Sequence, residues 1–240
     1  MRQLLGALAF LVAGLAAGLG LYRAGMIQFN DPDPAEFQVL GVDVSHHQGP
    51  IDWPVLAESG AADFAYIKST EGRDFVDTRF HENWDGAAAA GVPRGAYHFF
   101  TFCAPGRAQA EHFLAIAPPE PGALAPVADV EFVGNCAGYQ DLAGVREELE
   151  VFLALVEEAW GVAPILYLTA DSLERVVGSG MTGYPVWIRS VFTQPASDDD
   201  RHWLLWQFAD NARLPGINGP VDRNALRPGL SVSALTEPRR

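Results

Sequence analysis

The sequence predicts an α/β protein, a β/α barrel of about eight strands with roughly five regular β/α units and a helix-poor final third. Three observations carry this. Eight short apolar runs recur after residue 37, bounded by Gly, Pro and Asp and without polar alternation, as strands covered on both faces require. Helical stretches separate the earlier runs, which implies parallel strands joined by right-handed crossovers. The chain has 240 residues, 49% of them hydrophobic, enough for one large core rather than two small ones. About 200 residues after the leading segment is short but sufficient for a barrel.

In chain order, residues 1–25 differ from all that follows. An uncharged apolar run of 18 residues, Leu4 to Leu21, lies between Arg2 and Arg23. It reaches the lower length limit for a bilayer-spanning helix and exceeds an ordinary signal-peptide apolar region. A membrane anchor or a cleaved signal are both consistent with it, and either implies export, to the periplasmic side of the inner membrane if anchored or into the medium if cleaved. Residues 26–37, "MIQFNDPDPAEF", are polar with two prolines and read as a linker. The barrel domain is expected over 38–230 and a tail over 231–240.

Within the barrel the expected strands are "QVLGVDVS", "FAYIKST", "RGAYHFF", "LAPVADVEF", "PILYLT", "PVWIRS", "WLLWQFA" and the weaker "PVDR". Between them "WPVLAESG", "RFHENWDGAAAAG", "RAQAEHFLAIA" and "LAGVREELEVFLALVEEAWG" are the helices, the last showing the clearest amphipathic stripe. After "PILYLT" the connections become loops rich in Gly, Pro and Asp, so the final third is expected to be irregular.

In parallel β/α barrels chemistry sits at the carboxyl ends of the strands. Asp43 ends the first run, Asp129 and Glu131 end the fourth, and Asp222 stands in the last. Four acids from three strands therefore converge on one mouth. Asp129 and Glu131 are two apart, so their side chains share a face of the strand. Crowded carboxyls cannot all ionise; one keeps its proton near neutral pH and is able to protonate a leaving oxygen. That is the chemistry of glycoside hydrolysis. The i to i+2 spacing, about 6.6 Å, lies near the boundary between retaining and inverting separations and selects neither. A D-x-E at a strand end also serves as a cap or a cation partner, so the pair alone does not define a site. Tyr66, Tyr97, Phe99, Phe102, Tyr167, Trp187 and Trp206 fall on or just after the strands. Aromatic planes pack on the C–H faces of sugars, and Gln207 offers an amide to their hydroxyls.

Together, "GVDVSHHQGPIDW", "FAYIKSTEG", "GVPRGAYHFF", "PVADVEF" and "WQFADNARLPGINGPVDRN" resemble the glycoside hydrolase family 25 lysozymes, from about Gly41 to Asn224. The resemblance implies a flattened barrel, N-acetylmuramidase activity on peptidoglycan and no cofactor. It makes Glu131 the general acid, Asp129 its neighbour that orients the substrate acetamido group or stabilises positive charge, and Asp43 and Asp222 electrostatic and positioning residues. Tyr66, Tyr97, Phe99, Tyr167, Trp187, Trp206 and Gln207 are the expected substrate contacts. One departure stands in "VWIRSVFTQP": Arg189 and Val191 replace small and aromatic residues of many relatives, leaving Phe192 as the substitute. No wall-binding repeats follow the barrel, so the N-terminal run is expected to supply placement.

His46 and His47 stand near these acids, but adjacent His residues point apart on a strand and no metal-binding spacing is present, so no metal is expected. Cys103 and Cys136 follow adjacent strands of an exported barrel, so they are expected to pair. Their loop is worth on the order of 3–4 kcal/mol by the chain-entropy model. Peptidoglycan glycan strands, and the membrane through the N-terminal segment, are the expected partners of a monomer. A net charge of −14 argues against nucleic acid. A chitinase-like hydrolase would also carry D-x-E, yet the upstream acids of chitinases are replaced here by Pro126, Val127 and Ala128. A catalytically silent wall-binding module would not need all four acids.

Overall fold

The computed structural model describes residues 2–139, 141–178, 180–181, 183–195 and 203–238, without the side chains of residues 2–11 and 23. The last two residues of the expected tail and the first half of the apolar run's side chains therefore lie outside it.

Nine strands form the sheet: β1 (Leu40–Val44), β2 (Phe64–Glu71), β3 (Phe75–Val76), β4 (Arg94–Phe99), β5 (Val127–Val130), β6 (Ile165–Thr169), β7 (Val186–Arg189), β8 (Trp203–Ala212) and β9 (Val221–Leu226). Their order is β1-β9-β8-β7-β6-β5-β4-β2-β3, and β1 also pairs with β2. That last pairing closes eight strands into a barrel, leaving β3 as a short hairpin partner of β2 outside the ring. Seven barrel strands run parallel, as the alternation implies, but β9 runs antiparallel to both β1 and β8. The connection from β8 to β9 holds no crossover helix, so the chain turns back instead of returning to the same end.

The predicted helices are α2 (Trp53–Glu58), α3 (Phe80–Ala89), α4 (Gly106–Ile116) and α5 (Leu142–Trp160). Their starts follow from local chemistry: Asp52 accepts from Val55 N–H beside Pro54 in the first turn of α2, and Asp141 accepts from Gly144 N–H at α5. A further turn, α6 (Ala170–Ser172), continues as a π-helical turn to Val177 and was not signalled by periodicity. Ahead of them all, α1 (Arg2–Arg23) carries exposed Val12, Leu15, Leu19 and Leu21. Among the described residues no helix is long and apolar enough to cross a membrane. The 26–37 stretch is irregular, as its composition implies, yet Phe37 is buried against Trp203 and Trp206.

Strand alternation divides the apolar residues into two cores. Outward residues such as Val42, Ala65, Ile67, Ala96, Ala128, Val130, Leu166 and Leu168 pack beneath the helices. Inward residues, among them Phe64, Tyr66, Val127, Ile165, Tyr167, Trp187 and Leu205, fill the barrel. Phe64 and Tyr66 fit because their register partners on the flanking strands are glycines, Gly41 on β1 and Gly95 on β4. A Cβ on Gly41 would stand 2.4 Å from the Phe64 ring, and one on Gly95 2.3 Å from the Tyr66 ring. Two aromatics therefore occupy the space of four side chains and make a rigid floor under the mouth.

Cys103 and Cys136 form a disulfide between the loops leaving β4 and β5, with Cα atoms 6.2 Å apart. Asn135 reinforces the same junction: its Nδ2 donates to the carbonyls of Phe100 and Glu131, both at 2.9 Å, and its Oδ1 accepts from Phe102 N–H at 2.8 Å. The Glu131 carbonyl is thus tied to the loop that leaves β4.

Gly95→Ala is expected to lose about 1–3 kcal/mol of stability through overpacking against Tyr66, read as a lowered urea midpoint. An unchanged midpoint would contradict the tight floor.

Candidate active site

All four sequence-predicted acids line one cavity. An open cleft of about 330 Å³ is bordered by Asp43, Asp129, Glu131 and Asp222 together with His47, Lys68, Glu71, Tyr97 and Phe99. It deepens into an inner pocket of about 90 Å³ lined by the same acids and by Tyr97, Tyr167, Val127 and Trp187. The strand pleat explains the convergence on β5: Val127, Asp129 and Glu131 point inward while Ala128 and Val130 point to the helices. Asp222 arrives differently. It lies near the start of β9, and because β9 is antiparallel, that start stands at the same mouth as the ends of the parallel strands. Asp222 is the register partner of Asp43.

A buried polar chain fixes Asp43. Trp187 Nε1 donates to Asn224 Oδ1 at 2.9 Å. Indole is a donor only, so the Asn224 amide must turn its NH₂ the other way, where it donates to Asp43 Oδ2 at 2.8 Å. From the opposite side Tyr167 OH donates to Gln207 Oε1 at 2.9 Å, and Gln207 Nε2 donates to Asp43 Oδ2 at 3.0 Å. Asp222 is hydrogen-bonded to Asp43 as well. Burial raises the Asp43 pKa, while Asn224, Gln207 and Asp222 all oppose the rise by favouring its charge. Among the described residues no amide donates to Asp222 in this way; burial first and the Asp43 charge next push its pKa well up. The two amide donors on Asp43 Oδ2 favour charge there, so we assign the proton of the pair to Asp222.

Asp129 and Glu131 form the second pair. Burial and then the Glu131 charge push Asp129 well above the ordinary carboxylate range. Burial raises Glu131 too, with Arg189 and Lys68 working against the rise and Asp43 adding to it. Asp129 Oδ1 is buried without a hydrogen-bond partner among the described residues, which leaves it open to a ligand. Lys68 is paired with Glu71 at 2.7 Å and lies 4.9 Å above the Phe99 ring, which holds one cation at the cleft wall.

The expected substrate contacts divide. Tyr97 and Phe99 line the cleft, and Tyr97, Tyr167 and Trp187 line the inner pocket. Tyr66 does not reach either; it is fully buried in the floor against Trp187. Trp206 faces outward, packed on Phe37 and Phe208, because its neighbour Gln207 takes the inward position. Phe102 is likewise buried, edge-on to Phe132 and Tyr139. Trp187 and Gln207, both almost fully buried, serve the Asp43 chain. His46 and His47 do not diverge: they stand on a 3₁₀ turn capped by Ser45, their ring centroids 4.0 Å apart. His46 Nδ1 is 2.7 Å from the buried Asp77. Among the described residues no cluster of His, Cys, Asp and Glu is arranged to hold a metal. Sequence reasoning missed Asn135, Asn224 and the Lys68–Glu71 pair, although the last three residues stand inside the motifs quoted above.

The chain matches the model of the glycosyl hydrolases family 25 over residues 42–217. It is 34% identical to the uncharacterized protein YegX of Escherichia coli K12 over 197 residues, 80% of this chain and 71% of that protein. It is also 34% identical to lysozyme M1 of Streptomyces globisporus, over 78% of this chain and 67% of that one. The structure of a family 25 glycosyl hydrolase from Bacillus anthracis superposes with a TM-score of 0.76 at 35% identity, covering 83% of this chain and 93% of that one. The protein belongs to glycosyl hydrolase family 25 and is a glycoside hydrolase.

The raised pKa of Asp222 couples folding to pH. A raised folded-state pKa means the folded protein binds this proton more tightly than the unfolded chain does. The stability it brings is full below the unfolded value near 3.9 and is lost as pH rises through the folded one. Asp222→Asn keeps a donor toward Asp43 and removes the titration. Its Tm is expected to exceed that of wild type at pH 8, by about 2–4 °C for each kcal/mol relieved, and the two to converge at pH 4. A gap independent of pH would refute the proton's placement.

Proposed function

We propose that the protein is an N-acetylmuramidase that cleaves the β-1,4 bond between N-acetylmuramic acid and N-acetylglucosamine in peptidoglycan, with Glu131 as general acid. The observation that carries this reading is the convergence of four carboxyls on one cleft, one of them raised in pKa and open to it. Glu131 is the partly exposed member of the inner pair, and its protonated form donates to the glycosidic oxygen. Asp129 offers its unpartnered Oδ1 to the acetamido N–H of the sugar on the other side of the bond. That contact orients the acetamido carbonyl oxygen toward the anomeric carbon. Asp43 accepts two amide N–H groups on Oδ2 and a further bond from Asp222. So engaged, it suits electrostatic stabilisation of the oxocarbenium-like transition state better than nucleophilic attack. These features support substrate assistance, a recognised exception to the two-carboxylate scheme. Tyr97 and Phe99 supply aromatic surface for the sugars in the cleft.

Residues 1–25 are read as the exported protein's leader or anchor, 26–37 as its linker and 38–230 as the hydrolase. An anchored enzyme would trim wall close to the membrane; recovery of the intact chain only in the soluble fraction would contradict that placement.

Glu131→Gln is expected to lower kcat about 10²–10⁴-fold on purified peptidoglycan, with little change in KM. The new reducing ends should be muramic acid; N-acetylglucosamine ends would favour the chitinase-like reading, and full activity of the variant would remove Glu131 from its role. Because the acid must be protonated, activity falls as pH rises through the Glu131 pKa. Arg189 holds that pKa down, so Arg189→Leu is expected to move the alkaline limb of the kcat profile to higher pH. A shift to lower pH would contradict the sign.

A further inference from the structure

The acids and the Lys68 wall account for one side of the mouth. Past the ends of β7 and β8, the other side carries a cluster that the reaction described above does not use. There the end of α1 and the segment after it are fastened down by polar contacts. Tyr22 OH donates to Asp210 Oδ1. Asn211 Nδ2 donates to the carbonyls of Tyr22 at 2.7 Å and Ile27 at 3.0 Å, and Asn30 Nδ2 to that of Ser190 at 3.1 Å. These anchors set the Phe29 ring 5.3 Å from that of Tyr22 and 5.0 Å from that of Phe192. Phe29 is 56% exposed and Phe192 66% exposed. Two phenyl rings held side by side in water forgo the burial that would stabilise them, and such patches mark binding surfaces.

The cluster is joined to the catalytic mouth. Asp210, which accepts from Tyr22, also pairs with Arg189 at 2.8 Å, and the Arg189 charge acts on Glu131 and Asp222. Val191 is 4% exposed. Its neighbour Phe192 turns out beside Phe29 instead.

We propose that Tyr22, Phe29 and Phe192 form an outlying saccharide subsite, shared between the N-terminal segment and the loop after β7, on which a sugar of the glycan strand stacks beyond the cleft. The proposal rests on the reading of the substrate as a polysaccharide. Pyranose rings present C–H faces to aromatic planes and hydroxyls to the groups around them. Here the rim offers the Asn30 amide, Ser190 Oγ and Thr193 Oγ1. That polar edging, and continuity with the cleft through Arg189 and Asp210, favour a glycan over a lipid surface. The N-terminal segment is then part of the binding site as well as a connector.

The test is the double variant Phe29→Ala/Phe192→Ala in the full chain. Both rings are exposed, so Tm should stay at the wild-type value and confirm folding. On long glycan strands KM should rise roughly 5-fold or more, the product of two aromatic contacts, with kcat within 2-fold. On the shortest oligosaccharide that is cleaved the rise should vanish, and Phe29→Trp/Phe192→Trp should restore binding to the polymer. An unchanged KM on the polymer would overturn the proposal, as would an equal rise on both substrates. Loss of binding to phosphatidylethanolamine–phosphatidylglycerol vesicles with an unchanged polymer KM would also overturn it, and assign the rings to the membrane. Should wild type cut no glycan, the muramidase reading fails by itself. The subsite is then judged by sedimentation of Glu131→Gln with insoluble peptidoglycan, with and without the two phenylalanines: weaker sedimentation without them sustains it, equal sedimentation ends it.

Discussion

Asp43 and Asp222 face each other across β1 and the reversed β9. Two carboxyls in contact in a poorly solvated mouth cannot both be charged. The interior is arranged to decide which one is. Trp187 orients Asn224, Tyr167 orients Gln207, and both amides give their N–H groups to the same oxygen of Asp43. The charge settles there and the proton on Asp222. The antiparallel pairing of β9 with β1 is what sets the two carboxyls opposite one another.

The floor explains why this arrangement holds its shape. Tyr66 packs on Trp187 with ring centroids 5.1 Å apart, and Trp187 is the donor on which the Asn224 orientation rests. Tyr66 in turn occupies space that Gly95 leaves open. A methyl group added at the floor would press through two aromatic rings on the hydrogen bond that sets Asp43. On the opposite wall the disulfide and Asn135 hold the loop after β5, and with it Glu131. Packing fixes one acid pair and a covalent brace steadies the other.

Much of this was legible in the residues. Eight barrel strands, four helices, the four acids and the cysteine pair stand where pattern and strand-end logic put them. What escaped has identifiable causes. The direction of β9 is not written in "PVDR", since a two-sided buried strand reads alike in either direction; the missing crossover helix was the available hint. The aromatics were sorted wrongly because a strand's inward and outward positions differ by one residue. Trp206 and Gln207 exchange roles on that parity alone. Tyr66 lies on the correct face but too deep, a matter of barrel shear that no local window contains. Asn224 on β9 and Asn135 in the loop after β5 act through other groups, and an asparagine's identity carries no signal of that.

The overall charge of −14 gives the mouth's two cations particular weight. Lys68 and Arg189 stand on opposite sides of the acids and both hold the Glu131 pKa down, against the burial that raises it. Within the same balance the charge on Asp43 and the proton on Asp222 set the protonation of the mouth. A ¹³C NMR titration of the side-chain carboxyl carbons, assigned with Asp43→Asn and Asp222→Asn, measures it most directly. The account predicts that Asp222 keeps its proton well above the range in which exposed carboxyls ionise, while the Asp43 signal already reports charge. Simultaneous ionisation of both within the ordinary carboxylate range would contradict it.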